Sequence, residues 1–276
     1  MIKTHPEIAT NYVAAKKTGI SETSVRNIKR RYGAKPVESE VNIIKSSYGW
    51  MKRNVCWSMD TMMIRFMGGW LYALLVIEES SRLLLSYKIA EQKQGIYARE
   101  LLTKTVRELG AKPLVVKHDR GREFENEDFQ TALKDEQIVS LPAPGYYAPF
   151  NSMAERTIRL VRRFTMPLEI RYDATLEEVD KALFRAQREI NYELPRKMFN
   201  GRTSGAVYES TPDYDPPERE RLLEDVYDYQ EILDPQYFRC GKTLDRMRKE
   251  VVEYLCRRNL CYVEHRVKKV KLKQCG

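Results

Sequence analysis

The order of apolar segments between residues 56 and 141 limits the possible folds more than any other feature of the sequence. Five segments have the length and apolar pattern of strands, at residues 56–64, 71–77, 83–89, 114–116 and 138–141. Helices are predicted among and after them, at about residues 96–109, from 126, from 152 and at about 175–192. The first three strands follow one another through short turns, which favours antiparallel pairing, and helices connect the later ones. The order predicts an α/β domain, a mixed five-stranded sheet flanked by helices.

The chain of 276 residues is long enough for one catalytic domain and one or two small modules. No apolar run approaches the roughly 18 residues that a membrane helix needs. Residues 1–19 lack the apolar core of a signal peptide, and the five cysteines form no CxxC pair. We therefore expect a cytoplasmic protein with reduced thiols and no membrane partner.

Basic charge is concentrated at the two ends of the sequence. Residues 1–54 contain 11 Lys and Arg against 4 Asp and Glu, and residues 239–276 contain 12 against 4. The segment between them contains 25 basic and 31 acidic residues. Basic ends around an acidic centre indicate modules that bind a polyanion such as DNA, although basic ends can also serve solubility alone.

Residues 1–40 have the pattern of two short helices joined by a tight turn. Gly19 supplies the turn, Ser21 caps the second helix, and Val25 and Ile28 form its inward stripe. This pattern resembles a helix-turn-helix, whose second helix enters the major groove of DNA; a plain helical hairpin is the alternative. The side chains predicted to contact DNA are those of the outward face, Thr23, Arg26, Asn27, Lys29 and Arg30.

Composition divides the rest of the chain into four parts. These are a linker at residues 41–54, the α/β core at 55–209, an acidic connector at 210–236 and a small basic module at 237–276. Residues 263–273 of the last part alternate like a strand with one basic face, after a basic helix predicted near residues 244–258. The sequence leaves the fold of this module open.

Three carboxylates stand at positions where acidic side chains need an explanation. Asp60 interrupts an apolar strand, where an unpaired carboxylate costs several kcal/mol. Asp119 ends a later strand, where open α/β sheets place ligand-binding residues, and Gly121 leaves room for a close approach. Glu155 lies in the first turn of the helix that begins near Ser152. Structural alternatives exist, since Asp119 could begin a turn and Ser152 with Glu155 could form a capping box.

Several motifs around these carboxylates resemble the DDE core of retroviral integrases and insertion-sequence transposases, from about Trp57 to Tyr208. The motifs occur in the family's order, as WSMD at residues 57–60, GWLYALLVIEESSR at 69–82, HDRGREF at 118–124, NSMAER at 151–156 and NYELPRKMFNGRT at 191–203. The sequence departs from the family pattern at Glu78, Arg120, Ser152 and Ser204. None of these changes removes a carboxylate. Arg120, which replaces the usual Asn, could pair with Asp119 or contact DNA.

The resemblance implies an RNase H-like fold and metal-dependent 3′-end nicking and strand transfer of a mobile element into target DNA. Asp60, Asp119 and Glu155 would bind two Mg²⁺ ions, with Mn²⁺ able to substitute. Double-stranded DNA, both element ends and target, would be the partner of a homo-oligomer. Basic residues near the carboxylates would contact the DNA, namely Arg120, Arg156, Arg159 and Arg163. The alternatives are a catalytically silent DNA-binding or assembly protein with the same fold, and an RNase H-like nuclease that only hydrolyses.

Overall fold

A computed structural model describes the backbone of residues 15–16, 19–32, 38–143, 151–232 and 261–273. The chain forms two compact units. One combines Met1–Ser47 with Val263–Gly276, and the other is Tyr48–Tyr262. The larger unit contains the predicted α/β core.

A five-stranded mixed sheet forms the centre of the larger unit. Its strands are β2 (Cys56–Phe66), β3 (Gly69–Glu78), β4 (Leu83–Ala90), β5 (Val115–His118) and β6 (Val139–Pro142). The order across the sheet is β4-β3-β2-β5-β6. The hairpin-connected strands β2, β3 and β4 pair antiparallel, whereas β5 pairs parallel with both β2 and β6. The predicted fold class is therefore confirmed for the core.

Helices cover both faces of this sheet. They are α2 (Gly95–Leu109), α3 (Arg122–Glu125), α4 (Glu127–Asp135), α5 (Ser152–Glu169), α6 (Leu176–Arg188) and α7 (Ser204–Ser210). One apolar cluster joins Trp57 and Met59 of β2 to α2, α3 and α4, and a second joins Met62 and Ile64 to α5 and α6. Alternate residues of β2 thus face opposite layers, as the pleat of a strand requires. Within the described residues, no helix combines the length and apolarity that a membrane crossing needs.

A further helix corrects the expectation of a solvated acidic connector at residues 210–236. Helix α8 (Pro216–Ile232) begins in this segment, and its Leu222, Leu223 and Val226 are buried in an apolar cluster with Trp50. The acidic side chains dominate the composition of the segment and hide this apolar stripe. Burial of three aliphatic side chains makes α8 part of the core packing.

A two-stranded sheet corrects the expectation of a linker at residues 41–54. Strand β1 (Glu38–Trp50) pairs with β7 (Cys261–Lys273). Local periodicity could not reveal β1, because its partner lies some two hundred residues later in the chain. β7 agrees with the alternation predicted for residues 263–273, and the helix predicted near 244–258 lies outside the described residues.

Helix α1 (Glu22–Tyr32) corresponds to the predicted second helix of the amino-terminal motif. Ser21 accepts a hydrogen bond at Oγ from the backbone N of Ser24 at 3.1 Å, and Gly19 has a φ of 71°. Val25 is buried as expected, but Ile28 is 37% exposed instead of inward-facing. Most of the predicted first helix lies outside the described residues, so the helix-turn-helix stays a prediction.

The motif that begins at Asn191 binds the edge strand of the sheet. Asn191, in a single π-helical turn (Glu189–Glu193) after α6, accepts from the backbone N of Leu84 and donates to its carbonyl O, both at 2.9 Å. Gln187 donates to the carbonyl oxygens of Leu84 and Leu85. These side chains bind the backbone of the outer strand β4 and thereby fix α6 to the sheet.

Candidate active site

Two of the predicted carboxylates lie on neighbouring parallel strands of the sheet. Met59 of β2 pairs with His118 of β5, so that Asp60 and Asp119 each follow a paired residue. Asp60 accepts at Oδ1 from the backbone N of Thr61 at 2.8 Å. Asn151 donates from Nδ2 to the Oδ2 of Asp60 at 3.4 Å. Asp60 lies on the same face of β2 as Met62, because every second residue of a strand faces the same side. This face packs on α5.

The two carboxyl groups are held in surroundings that oppose their negative charge. Burial raises the pKa of Asp60 to about 7, and the charges of Asp119 and Glu155 add to this rise. Burial also raises the pKa of Asp119, with a smaller contribution from the charge of Glu123. Such raised pKa values are typical of clustered carboxylates that lack a compensating cation.

Glu155 occupies the exposed first turn of α5, the helix that packs on β2. Its charge contributes to the raised pKa of Asp60, so the two carboxylates are electrostatic neighbours. The capping-box alternative is wrong, because Asn151 is the cap residue and Ser152 already lies inside the helix. Residues 152–155 therefore do not form a capping box, and Glu155 does not serve as its capping carboxylate.

Helix α5, which carries Glu155 in its first turn, also carries a row of basic side chains. Arg156, Arg159 and Arg163 are exposed and lie on one side of α5, at spacings of three and four residues. Arg162 faces the protein instead and donates to the carbonyl O of Met63 at 3.1 Å. The row begins directly after Glu155, so exposed positive charge lies beside this carboxylate on the helix.

Arg120 is directed away from the carboxylate that precedes it. Its Nε donates to the carbonyl O of Ala143 at 3.2 Å, and the side chain is exposed. Within the described residues no ion pair joins Arg120 to Asp119. Instead, Asp119 accepts at Oδ1 from the backbone N of Gly121 at 2.9 Å. This geometry argues against neutralisation of Asp119 by Arg120.

The donor set suits a hard divalent cation. Carboxylate oxygens are the ligands that Mg²⁺ prefers, and the side-chain Oδ1 of Asn151 is buried without a hydrogen-bond partner beside them. Among the described side chains, however, no three His, Cys, Asp or Glu groups converge closely enough to hold a metal ion. The chemistry of the residues therefore fits a metal, although the three oxygens are not drawn together as a ligand cluster.

A buried ion pair supports the strand that leads to Asp119. The Nζ of Lys117 lies 2.6 Å from the Oε1 of Glu79, and both side chains are almost fully buried. Glu79 also accepts from Nε1 of Trp50 at 2.7 Å and from Oγ of Ser58. Burial alone would raise the pKa of Glu79, but the neighbouring Lys117 ammonium holds it below its usual range. The pair therefore keeps a charged network beneath the site.

Three further residues surround the carboxylates and were not predicted as site residues. Glu123 is 1% exposed and accepts at Oε1 from the Oγ1 of Thr61 at 2.7 Å. The Nζ of Lys93 lies 3.6 Å from the same carboxylate oxygen. Glu123 belongs to the HDRGREF motif, and Thr61 adjoins Asp60. Both residues could therefore have been identified from their proximity in the sequence to the predicted carboxylates. No local pattern distinguishes Lys93, because only the tertiary fold brings its loop to the site.

Comparisons with known proteins bear on the fold of the α/β core. Residues 51–146 match the family model described as the integrase core domain. A chain of the simian T-cell lymphotropic virus intasome, solved with PP2A regulatory subunit B56 gamma, is 17% identical, with 74% of each chain covered and a TM-score of 0.53. The HTLV-2 integrase catalytic core domain in complex with magnesium is 16% identical over 58% of this chain and 99% of that one, with a TM-score of 0.48.

Among proteins of curated function, no sequence matches this chain significantly. At 17% identity the likeness to the viral intasome chain shows a shared fold. The family match begins before β2 and ends just after β6, so it spans all five strands and includes Asp60 and Asp119. The α/β core of this chain therefore has an RNase H-like fold shared with the viral intasome chain, and residues 51–146 are similar to the integrase core domain family.

Proposed function

We propose that this protein is a DNA transposase or integrase that nicks the 3′ ends of a mobile element and joins them to target DNA. The observation that carries the proposal is the placement of Asp60 on β2 and of Asp119 directly after the paired strand β5, in a region similar to the integrase core domain, with the charge of Glu155 acting on Asp60. Burial raises the pKa of Asp60, and the charges of Asp119 and Glu155 add to this rise, so a cation bound here would stabilise the ionised site.

Asp60, Asp119 and Glu155 would hold two divalent ions, with Mg²⁺ the natural choice for carboxylate ligands and Mn²⁺ able to replace it. When bound, such ions supply charge neutralisation at the phosphate and activation of the attacking oxygen. The attacking oxygen belongs first to water and then to the freed 3′-hydroxyl, so no covalent link to the protein is needed. Phosphoryl transfer of this kind depends mainly on positioning and charge.

The chain's own residues would orient the DNA around this site. Arg156, Arg159 and Arg163 form an exposed cationic row on α5, and Arg120 lies on the loop after β5. Each would contact backbone phosphates, and such contacts fix register without reading sequence. Helix α1 would read the element ends, and a homo-oligomer in the cytoplasm would bring two ends together on target DNA.

A product analysis tests the proposal directly. Purified protein is incubated with Mg²⁺, a plasmid target and duplexes taken from the DNA that flanks the coding sequence, and products are sequenced. Recombinant junctions between duplex 3′ ends and plasmid are the expected result. Nicks without junctions would indicate a nuclease that only hydrolyses, and binding without either product would indicate a silent assembly protein.

A further inference from the structure

The loop between β4 and α2 is held tightly against the segment that follows Asp119. A Cβ placed on Gly95, the first residue of α2, would lie 2.4 Å from the side-chain Oδ1 of Asn126. Asn126 in turn caps α4, because its Oδ1 accepts from the backbone N of Asp128 at 2.9 Å. Only glycine leaves space for this contact, so the end of the loop at residues 91–94 is packed against the segment that follows Asp119.

Lys93 extends from this loop between an aromatic ring and a buried carboxylate. Its Nζ lies 5.7 Å from the ring centroid of Tyr72 and 3.6 Å from the Oε1 of Glu123. The side chain remains 38% exposed. Because an ammonium has three N–H donors, contact with Glu123 on one side leaves donors free to meet a ligand on the solvent side.

Glu123 is anchored more firmly than Lys93 and adjoins Asp119. Its side chain is 1% exposed, and Oε1 accepts from Thr61. Its second oxygen, Oε2, is buried without a hydrogen-bond partner. A Cβ on Gly121 would lie 2.7 Å from this oxygen and 2.9 Å from the Oδ1 of Asp119, so both oxygens border the same small space. A nearby cation lowers the free-energy cost of burying a carboxylate whose oxygen has no hydrogen-bond partner.

The charge of Lys93 acts on both strand carboxylates. Burial is the largest influence on Asp60 and Asp119 and raises the pKa of each, but Lys93 counteracts the rise at both. Lys93 is therefore close to both groups, although it belongs to neither of their strands.

We propose that Lys93 is a further DNA-phosphate contact of the carboxylate site and that Glu123 is the residue that positions it. The inference rests on the proposed function, since it takes the phosphate to be that of the DNA strand at the reacting bond. Lys93 offers an exposed cation beside the carboxylates, and the fixed anion of Glu123 restrains its flexible stem. A lysine held in this way supplies a point charge to a phosphate without reading sequence.

The first test compares two lysines with matched surroundings. Lys88 of β4 also lies 5.7 Å from a tyrosine ring centroid, and its Nζ lies 3.0 Å from the exposed carboxylate of Glu100 on α2. We expect Lys93→Gln to weaken duplex DNA binding by roughly tenfold and to reduce the salt slope by about 0.9, the value for one phosphate contact. Lys88→Gln should change neither, and Lys93→Arg should restore most of the affinity. Equal binding by the two Gln variants would overturn the proposal.

The second test asks whether Glu123 acts through Lys93. Glu123→Gln should lose as much DNA affinity as Lys93→Gln, and the double variant should lose no more than either one, because both changes remove the same contact. Glu125→Gln, an exposed change on the same helical turn, is the control. Mn²⁺ binding followed by electron paramagnetic resonance should be unchanged in Glu123→Gln. Additive losses, or a loss of Mn²⁺ with normal DNA binding, would contradict a positioning role.

These binding measurements are independent of catalysis. If the wild-type protein neither cuts nor joins DNA, the proposed function fails, while a Lys93-dependent salt slope would still establish the phosphate contact. If the wild type joins DNA and Lys93→Gln does so with unchanged KM and kcat, the inference about Lys93 fails alone.

Discussion

At the scale of single residues, the unusual feature is a carboxylate inside an apolar strand. Asp60 lies between buried Met59 and Met62, and its burial raises its pKa to about 7 from an ordinary value of 3.8. Asp60 therefore destabilises the metal-free fold when it is ionised. Natural proteins keep such groups where function requires them, which agrees with a role in binding a cation.

The free-energy cost of ionising the buried Asp60 predicts that the stability of the fold depends on pH. Between about pH 4 and 7 the folded protein holds a proton on Asp60 that the unfolded chain releases, so stability falls as pH rises through this window. We expect the free energy of unfolding of the wild type to fall by about 1 to 3 kcal/mol between pH 5 and pH 8. Asp60→Asn should remove this fall, and Mg²⁺ should offset it in the wild type. Denaturant unfolding without metal measures it, with the exposed change Asp128→Asn as control. Identical pH profiles for Asp60→Asn and wild type would contradict the account.

Arg120 gives a second prediction at this scale. Because its Nε donates to Ala143, Arg120→Asn should leave the Mg²⁺ concentration for half-maximal activity unchanged and lower DNA affinity by about threefold. Metal titration of the joining reaction and DNA binding at fixed salt provide the two measurements. A marked fall in the Mg²⁺ requirement would show instead that Arg120 masks the site.

At the scale of elements, the sequence predicts those strands and helices that a local pattern of apolar residues determines. The strands of the core follow from the apolar pattern at residues 56–64 and 71–77, because each strand carries in its own sequence the pattern of its two faces. Helix α8 was missed because its apolar stripe is short and lies among acids, and β1 was missed because its partner is distant. The same limit applies to the site: Asp60 and Asp119 are marked by strand patterns, whereas Lys93 reaches them only through the fold.

The element that carries Asp119 depends on the buried pair Lys117 and Glu79. Lys117→Met should destabilise the core by about 3 to 5 kcal/mol, because it leaves the Glu79 charge buried without its partner. Lys181→Met, which breaks the exposed pair with Glu177, should cause no measurable change. Urea unfolding of the two variants makes the comparison. A small effect of Lys117→Met would show that Glu79 is accommodated by Trp50 and Ser58 alone.

At the scale of the whole molecule, basic segments stand at both ends of a chain whose middle contains the carboxylates. Recognition of element ends is predicted for α1. Because β1 begins at Glu38, removal of residues 1–40 would cut a strand, and point changes test recognition more cleanly. Arg26→Ala with Asn27→Ala should reduce the preference for end DNA over random DNA by roughly tenfold or more and leave core stability unchanged. Competition binding measures this, and unchanged preference would assign recognition to the basic carboxyl-terminal module.

The most direct test of the central claim is DNA joining by Asp119→Asn, which removes one carboxylate at nearly constant shape. We predict that nicking and Mg²⁺-dependent joining both disappear while DNA affinity stays within about twofold of wild type, since loss of a metal ligand costs several kcal/mol of transition-state stabilisation. The exposed change Asp128→Asn should join DNA normally. Joining by Asp119→Asn within about tenfold of the wild-type rate would contradict the assignment of these carboxylates as the catalytic site.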